Sequence, residues 1–290
     1  MQIVIAGSTG FIGNHLVNFL SDKGHRCVGI GRHDFQKGIS HLSSLISGSD
    51  VLVNLVGASI DGRWTKVYKQ KLLESRVDTT KMLIAALSQL NQKPELFVSA
   101  SASGIYDSVQ IHDENSVAYA DDFLGQLCQR WEKEALVAGE QIRTVIIRTA
   151  IVLGADGGMF KKMKSIFKWG GAAKMGDGSQ AFPWIHIEDY LRAVECIIET
   201  STIHGPVNLV APGISTNRVF SMTLAKALHR PVLLSIPAFL LNVLLGEQAD
   251  IILKGQRMIP KVLLENGFVF QYPELSSVLK SLLMTSSEQS

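Results

Sequence analysis

Three glycines carry the clearest chemistry in the sequence. Gly7, Gly10 and Gly13 stand at three-residue intervals in Gln2-Ile-Val-Ile-Ala-Gly7-Ser8-Thr9-Gly10-Phe11-Ile12-Gly13. An apolar, largely β-branched run precedes them and a helix-compatible stretch, residues 14–20, follows. A strand, a glycine turn and a helix in that order form a dinucleotide-binding signature. Gly7 turns the chain off the strand, Gly10 lets backbone amides approach a pyrophosphate, and Gly13 lets the helix pack closely on the sheet. The phosphates would sit at the positive end of the helix. The plain alternative is a tight strand-to-helix turn without a ligand; placement directly after a buried-type strand favours the dinucleotide.

A second strand, Arg26–Ile30, ends in Gly31-Arg32-His33. Folds that prefer NAD place an acid about 20 residues beyond the glycines to accept from the ribose hydroxyls. An arginine there suits a 2′-phosphate instead, because its fork pairs with two phosphate oxygens at once. Arg32 therefore points to NADP, against the simpler reading of a solvated loop arginine. Among groups able to hold or move a proton, Cys128 lies in a helical stretch and would need a cationic neighbour to bring its thiol down from about 8.5. Packing is the commoner role of a free cysteine on an apolar helix face. His186 and Asp189 stand at i, i+3 spacing, and Trp64 and Trp184 could line a pocket or pack in a core.

Positioning these groups requires alternating strands and helices. Lys23-Gly24 closes the first helix. Residues 34–49 read as a polar, amphipathic connector, and Asp50-Val-Leu-Val-Asn54-Leu55-Val56-Gly57-Ala58 as a strand buried on both faces, its carboxyl end beside the cofactor. Helical periodicity spans residues 72–90. Residues 95–99 form a strand that runs into Ala100-Ser101-Ala-Ser103-Gly104-Ile-Tyr106, a helix covers 122–138, and another strand covers 143–148. This alternation predicts an α/β fold with a doubly wound parallel sheet. Beyond it, glycine-punctuated loops at 154–158, 168–171 and 176–178 surround a short basic helix. Trp184-Ile-His-Ile-Glu-Asp189 leads into a helix, and residues 206–211 read as a last strand. From Phe220 helices dominate. Residues 239–245 are very apolar but short, which suits a buried helix rather than a membrane span. Residues 285–290 read as a disordered tail.

Lysines and arginines number 28 against 26 aspartates and glutamates, a net charge of +2 without a basic stripe, so nucleic acid is not an expected partner. No apolar run approaches the roughly 18 residues of a membrane span. A strand beginning at Gln2 leaves no room for a targeting peptide, which makes the cytosol the expected compartment. Cys27, Cys128 and Cys196 lie far apart without a CxxC pair, so neither a disulfide framework nor a metal site is expected. Cys27 and Cys196 read as buried packing residues.

Gly7-Ser-Thr-Gly-Phe-Ile-Gly13, Asn54-Leu55-Val56-Gly57, the Ser-Ala-Ser stretch before Tyr106 and Trp184-Ile-His-Ile-Glu-Asp189 together resemble the extended short-chain dehydrogenase/reductase superfamily. More narrowly, Arg63-Trp64, Ser75-Arg76, Trp131-Glu132, Val152-Leu153-Gly154 with Gly157-Gly158, and Gly255-Gln-Arg with Pro260 and Gly267-Phe are similar to the atypical epimerase-like family that carries a C-terminal domain of uncharacterised function. The resemblance implies an NADP-binding Rossmann domain of residues 1–152 and 186–212, a smaller C-terminal substrate lobe of 153–185 and 213–284, and a tail. It assigns the cofactor to Gly7, Ser8, Thr9, Gly10, Phe11, Ile12, Gly13, Arg32, Asn54, Leu55, Val56 and Gly57. Homodimers are frequent among such relatives.

The same resemblance exposes a departure. Most members use a Ser or Thr, a Tyr and a Lys, the last two four residues apart, so that the ammonium and the nicotinamide charge stabilise tyrosinate near neutral pH. Here Tyr68 is followed four later by Leu72, Tyr106 by Gln110, Tyr119 by Phe123, Tyr190 by Val194 and Tyr272 by Ser276. Family helices place an acid four residues after the lysine; counting back from Glu132 puts Cys128 at the lysine position and Leu124 at the tyrosine position. Ser101 or Ser103 takes the place of the serine, and Tyr106 resembles a structural tyrosine of the superfamily. Ser101, Tyr106 and Cys128 remain as the candidate catalytic residues. Two functions fit: an NADP-dependent oxidoreductase or epimerase with a non-standard proton donor acting on a small polar substrate, or an NADP(H)-binding regulator that has lost catalysis.

Overall fold

Apolar residues on both faces of each strand set the central sheet. In the computed structural model, which describes residues 1–169, 172–231 and 234–285, Ile3 to Ala6 of β1 (Gln2–Ala6) are wholly buried. A strand covered on both faces is what a parallel sheet with flanking helices demands. β1 pairs in parallel with β2 (Arg26–Ile30) and with β3 (Val51–Asn54), and β3 pairs in parallel with β4 (Leu96–Ala102). The later strands are β5 (Ile111–His112), β6 (Arg143–Thr149), β7 (Ile151–Leu153), β8 (Ala173–Met175), β9 (Trp184–His186), β10 (Gly205–Leu209), β11 (Leu234–Ile236) and β12 (Arg257–Met258). The order across the six-stranded parallel sheet is β2-β1-β3-β4-β6-β10, so the winding reverses between β1 and β3. Open α/β sheets bind ligands outside the carboxyl ends of the strands at such a reversal. The remaining strands pair as β5 with β12, β7 with β9 and β8 with β11.

Helix α1 (Phe11–Asp22) returns the chain from β1 to β2. Residues expected to be a connector instead form two short helices, α2 (Arg32–Gln36) and α3 (Ile39–Ile46), because Leu42 and Ile46 have a buried face to occupy. β3 stops at Asn54, short of the expected Gly57-Ala58. The Asn54 side chain turns inward, where Nδ2 donates to Thr80 Oγ1 at 2.9 Å and Oδ1 accepts from the Val56 amide at 3.2 Å, and the next residues leave the ladder as a loop. The helix expected over 72–90 starts earlier and comes in three pieces: α4 (Lys66–Leu73), capped by Thr65, a π-helical turn (Glu74–Asp78) and α5 (Thr79–Ser88). Helix α6 (Phe123–Leu136) opens on Asp122, whose Oδ1 accepts from the Gly125 amide at 2.9 Å.

The chain divides into two compact units. One comprises Met1–Ile105, Asp121–Arg148 and Leu191–Val207; the other comprises Tyr106–Ala120, Thr149–Tyr190 and Asn208–Ser290. The first has a core that includes Val4, Ile30, Leu52, Leu83, Phe97 and Ile146. The second is built around Phe160, Phe167, Trp184, Phe220 and Leu279. Its helix Ala238–Leu245, expected to be buried, is not: Leu241 is buried while Phe239, Val243 and Leu244 are 65–79% exposed. A short helix that is apolar all round can bury only the side it packs with. Cys27 and Cys196 are likewise only partly buried; Cys27 lies on β2, the edge strand. The last helix, Leu275–Thr285, includes Thr285, the first residue of the expected tail. Residues 286–290 of that tail and Gly170-Gly171 of the glycine loop lie outside the described residues. Among the described residues no helix is long and apolar enough to cross a membrane.

Candidate cofactor and active site

At the end of β1 the backbone fills space that side chains would block. Gly7 has φ of 87°, in the left-handed region, and a Cβ there would lie 2.9 Å from the Leu55 carbonyl and 3.2 Å from the Val56 nitrogen. The Gly10 amide donates to Gly7 O at 3.0 Å, closing the turn. Gly13 is buried in the first turn of α1, where a Cβ would run into the Gly7 carbonyl oxygen. Ser8 packs against β2, since a Cβ at Gly29 would lie 2.5 Å from Ser8 Oγ. No side chain caps α1 and no acid occupies its first turn. The amides there have no partner within the helix and carry the positive end of its dipole. Thr9 and Gly10 are exposed, and Phe11 and Ile12 are partly so. The turn therefore leaves backbone amides open at the positive end of α1.

Arg32 opens α2 at the end of β2, is exposed, and has no hydrogen bond or ion pair among the described residues. The neighbouring acid, Asp34, is engaged. Its Oδ2 accepts from the Gly31 amide at 3.0 Å and its Oδ1 lies 3.0 Å from His41 Nε2, which hold the carboxyl down at about 2. The acid caps α2, and the arginine beside it stays exposed.

A buried polar chain runs behind β4. Ser101 Oγ donates to Glu132 Oε1 at 2.6 Å, and Arg148 grips the same carboxylate with Nε on Oε1 at 2.9 Å and Nη2 on Oε2 at 2.8 Å. All three residues are buried. Cys128, one turn before Glu132 on α6, is in hydrogen-bonding contact with the Ala102 backbone and the Ser101 side chain. Burial, seconded by the Glu132 charge, pushes its thiol up to about 12; the nearby Arg76 charge pulls the other way and is outweighed. Cys128 is thus a thiol at neutral pH. Leu124, a turn earlier, lies beside Gly104, where a Cβ would be 3.4 Å from the leucine.

The fold thus brings Ser101 and Cys128 together but places Tyr106 in the second unit. There its ring stacks on His112 with centroids 4.6 Å apart, and its hydroxyl lies 2.9 Å from Asn208 Oδ1 and 3.1 Å from the Asp113 carbonyl. In the same unit His186 is buried against Tyr272 with ring centroids 3.9 Å apart. His186 Nδ1 accepts from the Glu188 amide at 3.2 Å, Nε2 has no partner among the described residues, and burial holds the ring down at about 4. Asp189 does not pair with it; its oxygens accept from the Gln271 and Tyr272 amides, each at 2.8 Å. Trp184 is core, whereas Trp64 is partly exposed and set edge-on to Phe123 at 5.2 Å. Sequence reading does not single out Glu132, Arg148 or Arg76 for chemistry. The available signal is a charge in an apolar frame: Arg148 follows Val-Ile-Ile in β6, and Glu132 shares a face of α6 with Cys128.

A glycine cradle at the switch point of a doubly wound parallel sheet is the architecture of Rossmann folds. The sequence matches the NAD-dependent epimerase/dehydratase family over residues 3–210 and a domain of unknown function, DUF1731, over residues 236–282. It is 35% identical over 298 residues to the epimerase family protein YfhF of Bacillus subtilis, covering 98% of each chain. It is 32% identical over 292 residues to the human epimerase family protein SDR39U1, covering 98% of this chain and all of that one. The crystal structure of human SDR39U1 (isoform 2) with NADPH superimposes with a TM-score of 0.89 at 31% identity, over 98% of this chain and 99% of that one. The chain belongs to the NAD-dependent epimerase/dehydratase family, in the form that carries a C-terminal DUF1731 domain.

Proposed function

We propose that the chain is an NADP-dependent oxidoreductase of the epimerase type acting on a small polar substrate, with the first unit holding the cofactor and the second forming the substrate lobe. The observation that carries this reading is the cradle: Cβ-free space at Gly7 and Gly13, uncapped amides at the start of α1, and an unpaired Arg32 beside an occupied Asp34. Similarity to SDR39U1, whose structure is described with NADPH, supports the same cofactor. Bound there, the nicotinamide supplies hydride chemistry. The chain's own residues bind and orient. Amides of residues 7–13 take the pyrophosphate, Arg32 pairs with the 2′-phosphate, and the loop of residues 54–57, pinned by Asn54 to Thr80, borders the cofactor. Ser101 keeps its proton and points its O–H at Glu132, so its oxygen lone pairs are left to accept, suited to orienting a substrate hydroxyl. Cys128 keeps its proton and serves as a donor. Tyr106 supports the second unit from within.

A regulator that binds NADP(H) without turnover is the second reading, favoured by one observation: Leu124 and the protonated Cys128 occupy the places where the family template has its tyrosine and lysine. Fluorescence titration of the cofactor-stripped protein with NADPH and NADH, followed by NADPH oxidation across a panel of carbonyl compounds and sugar nucleotides, separates the two. NADPH-selective binding with substrate-dependent oxidation is the expected result. Binding without oxidation on the panel favours the regulator, and no binding refutes both.

A further inference from the structure

Arg76 sits in the π-helical turn Glu74–Asp78. Its Nη1 donates to the Leu72 carbonyl at 3.2 Å and to Ser75 Oγ at 3.5 Å, its Nη2 donates to the Ala58 carbonyl at 3.0 Å, and the Trp131 ring lies 5.4 Å from Cζ. Every one of these partners is neutral. Nε–H has no acceptor, and no carboxylate pairs with the charge, among the described residues. Arg148 in the same unit shows the contrast, held by a bidentate glutamate. Burial pushes the Arg76 guanidinium down from its usual pKa, the mark of a desolvated cation. Arg76 is part-buried, so its charge is partly withdrawn from water without a counterion, a cost to the fold that an apolar side chain of similar volume would avoid.

Its location accounts for the cost. A Cβ at Gly57 would lie 3.0 Å from Arg76 Cζ and 3.1 Å from Nη2, so the guanidinium rests against the bare backbone of the loop that leaves β3, and a side chain there would push it aside. That loop is at the switch point of the sheet. The platform beneath is fixed, with Trp131 Nε1 donating to Thr80 Oγ1 at 3.1 Å and Asn54 Nδ2 donating to the same hydroxyl. A preorganised cation with unused donors, beside a glycine and at the ligand-binding end of the sheet, is arranged for an oxyanion from outside the chain.

We propose that Arg76 is an anion-recognising residue of the substrate site, and that the substrate presents a carboxylate or phosphate to its Nε and its remaining Nη2 hydrogen. This rests on the reading of the switch point as the cofactor and substrate site. The test follows thermal unfolding of the full chain, with and without saturating NADPH, in malonate, inorganic phosphate or chloride at matched ionic strength. The wild type gains a saturable shift with malonate or phosphate over chloride; the stronger of the two names the substrate's anion. Arg76→Met and Arg76→Gln, two independent ways of filling the site, lose the shift, with apparent anion affinity at least about tenfold weaker. Arg76→Lys keeps a reduced response. NADPH affinity by fluorescence titration changes by less than about twofold in these variants, because the cofactor's phosphates are held elsewhere. A wild type without an anion-specific shift overturns the proposal. So do variants that melt lower yet respond to anions as the wild type does, since Arg76 is then a clamp on the Ala58 loop. NADPH affinity falling about tenfold together with the anion shift reassigns the charge to the cofactor and overturns it too. Failure of the wild type to bind NADPH sinks the cofactor reading separately, and the anion response without NADPH is still read.

Discussion

Glu132 collects Ser101 from 31 residues away and Arg148 from 16, and these contacts are invisible to any local pattern. Since Arg148 is 1% exposed, removing the carboxylate takes the counterion from a buried guanidinium. Glu132→Leu is expected to cost about 3–5 kcal/mol in denaturant unfolding, and the pair Glu132→Leu with Arg148→Met to recover most of it. His186 couples stability to pH. Its ordinary value of 6.5 falls to about 4 in the folded chain, so the unfolded chain takes up the proton first. The contribution is therefore complete above pH 6.5 and is lost as pH falls toward 4, on the order of 3 kcal/mol across that window. His186→Gln should flatten this part of the acid limb of a stability–pH profile; an unchanged limb would show that the ring titrates freely. At the surface, Arg32→Ala is expected to weaken NADPH binding about tenfold or more while NADH binding changes little, because only NADPH carries the 2′-phosphate. Equal losses in both titrations would remove the specificity claim.

At the scale of elements, the glycines separate into two kinds. Gly13 is buried and its missing side chain makes room for the Gly7 carbonyl, whereas Gly10 is exposed with an extended φ of −75° that any residue can adopt. Gly13→Ala should therefore lower the unfolding midpoint, by an overpacking cost of about 1–3 kcal/mol. Gly10→Val, whose Cβ would lie 3.3 Å from the Gly7 carbonyl oxygen, should cost less stability than Gly13→Ala and lose NADPH, since a side chain there would occupy the approach of the pyrophosphate. Destabilisation by Gly10→Val as large as that of Gly13→Ala, or NADPH binding by it, would contradict this division. The turn, its two flanking elements and the arginine after β2 are legible in the sequence because each signal is local, a change of hydrophobic period around fixed glycines. The end of β3 is not, because what stops it is Thr80, 26 residues on, drawing the Asn54 side chain inward. The π turn is equally silent, since the apolar spacing of 72–90 continues through it. The small helix Ala238–Leu245 misleads for the opposite reason: apolar composition says nothing about how many of its sides meet a neighbour.

Over the whole molecule, alternating strands and helices foretell the doubly wound sheet. The course of the chain between units is less legible. It leaves the first unit at Tyr106, rejoins it at Asp121, and crosses again three more times, at points marked by no linker composition. A ligand that binds only the folded chain stabilises it by mass action, so NADPH at 100 times its dissociation constant should add about 2.7 kcal/mol to unfolding, and NADH at the same concentration much less. Equal shifts from the two would argue against a site selective for the phosphate. The π turn has a consequence in genetic terms. Five residues spent on one wide turn amount to a single codon inserted into an otherwise regular helix. Deleting Ser75 or Val77 would let α4 and α5 run on as one α-helix, with everything before the deletion rotated by about 100° relative to everything after it. Arg76 would then no longer meet both Gly57 and Trp131. The placement of that cation is the product of one inserted residue, and can be undone by one deletion that changes neither its charge nor the helix propensity around it.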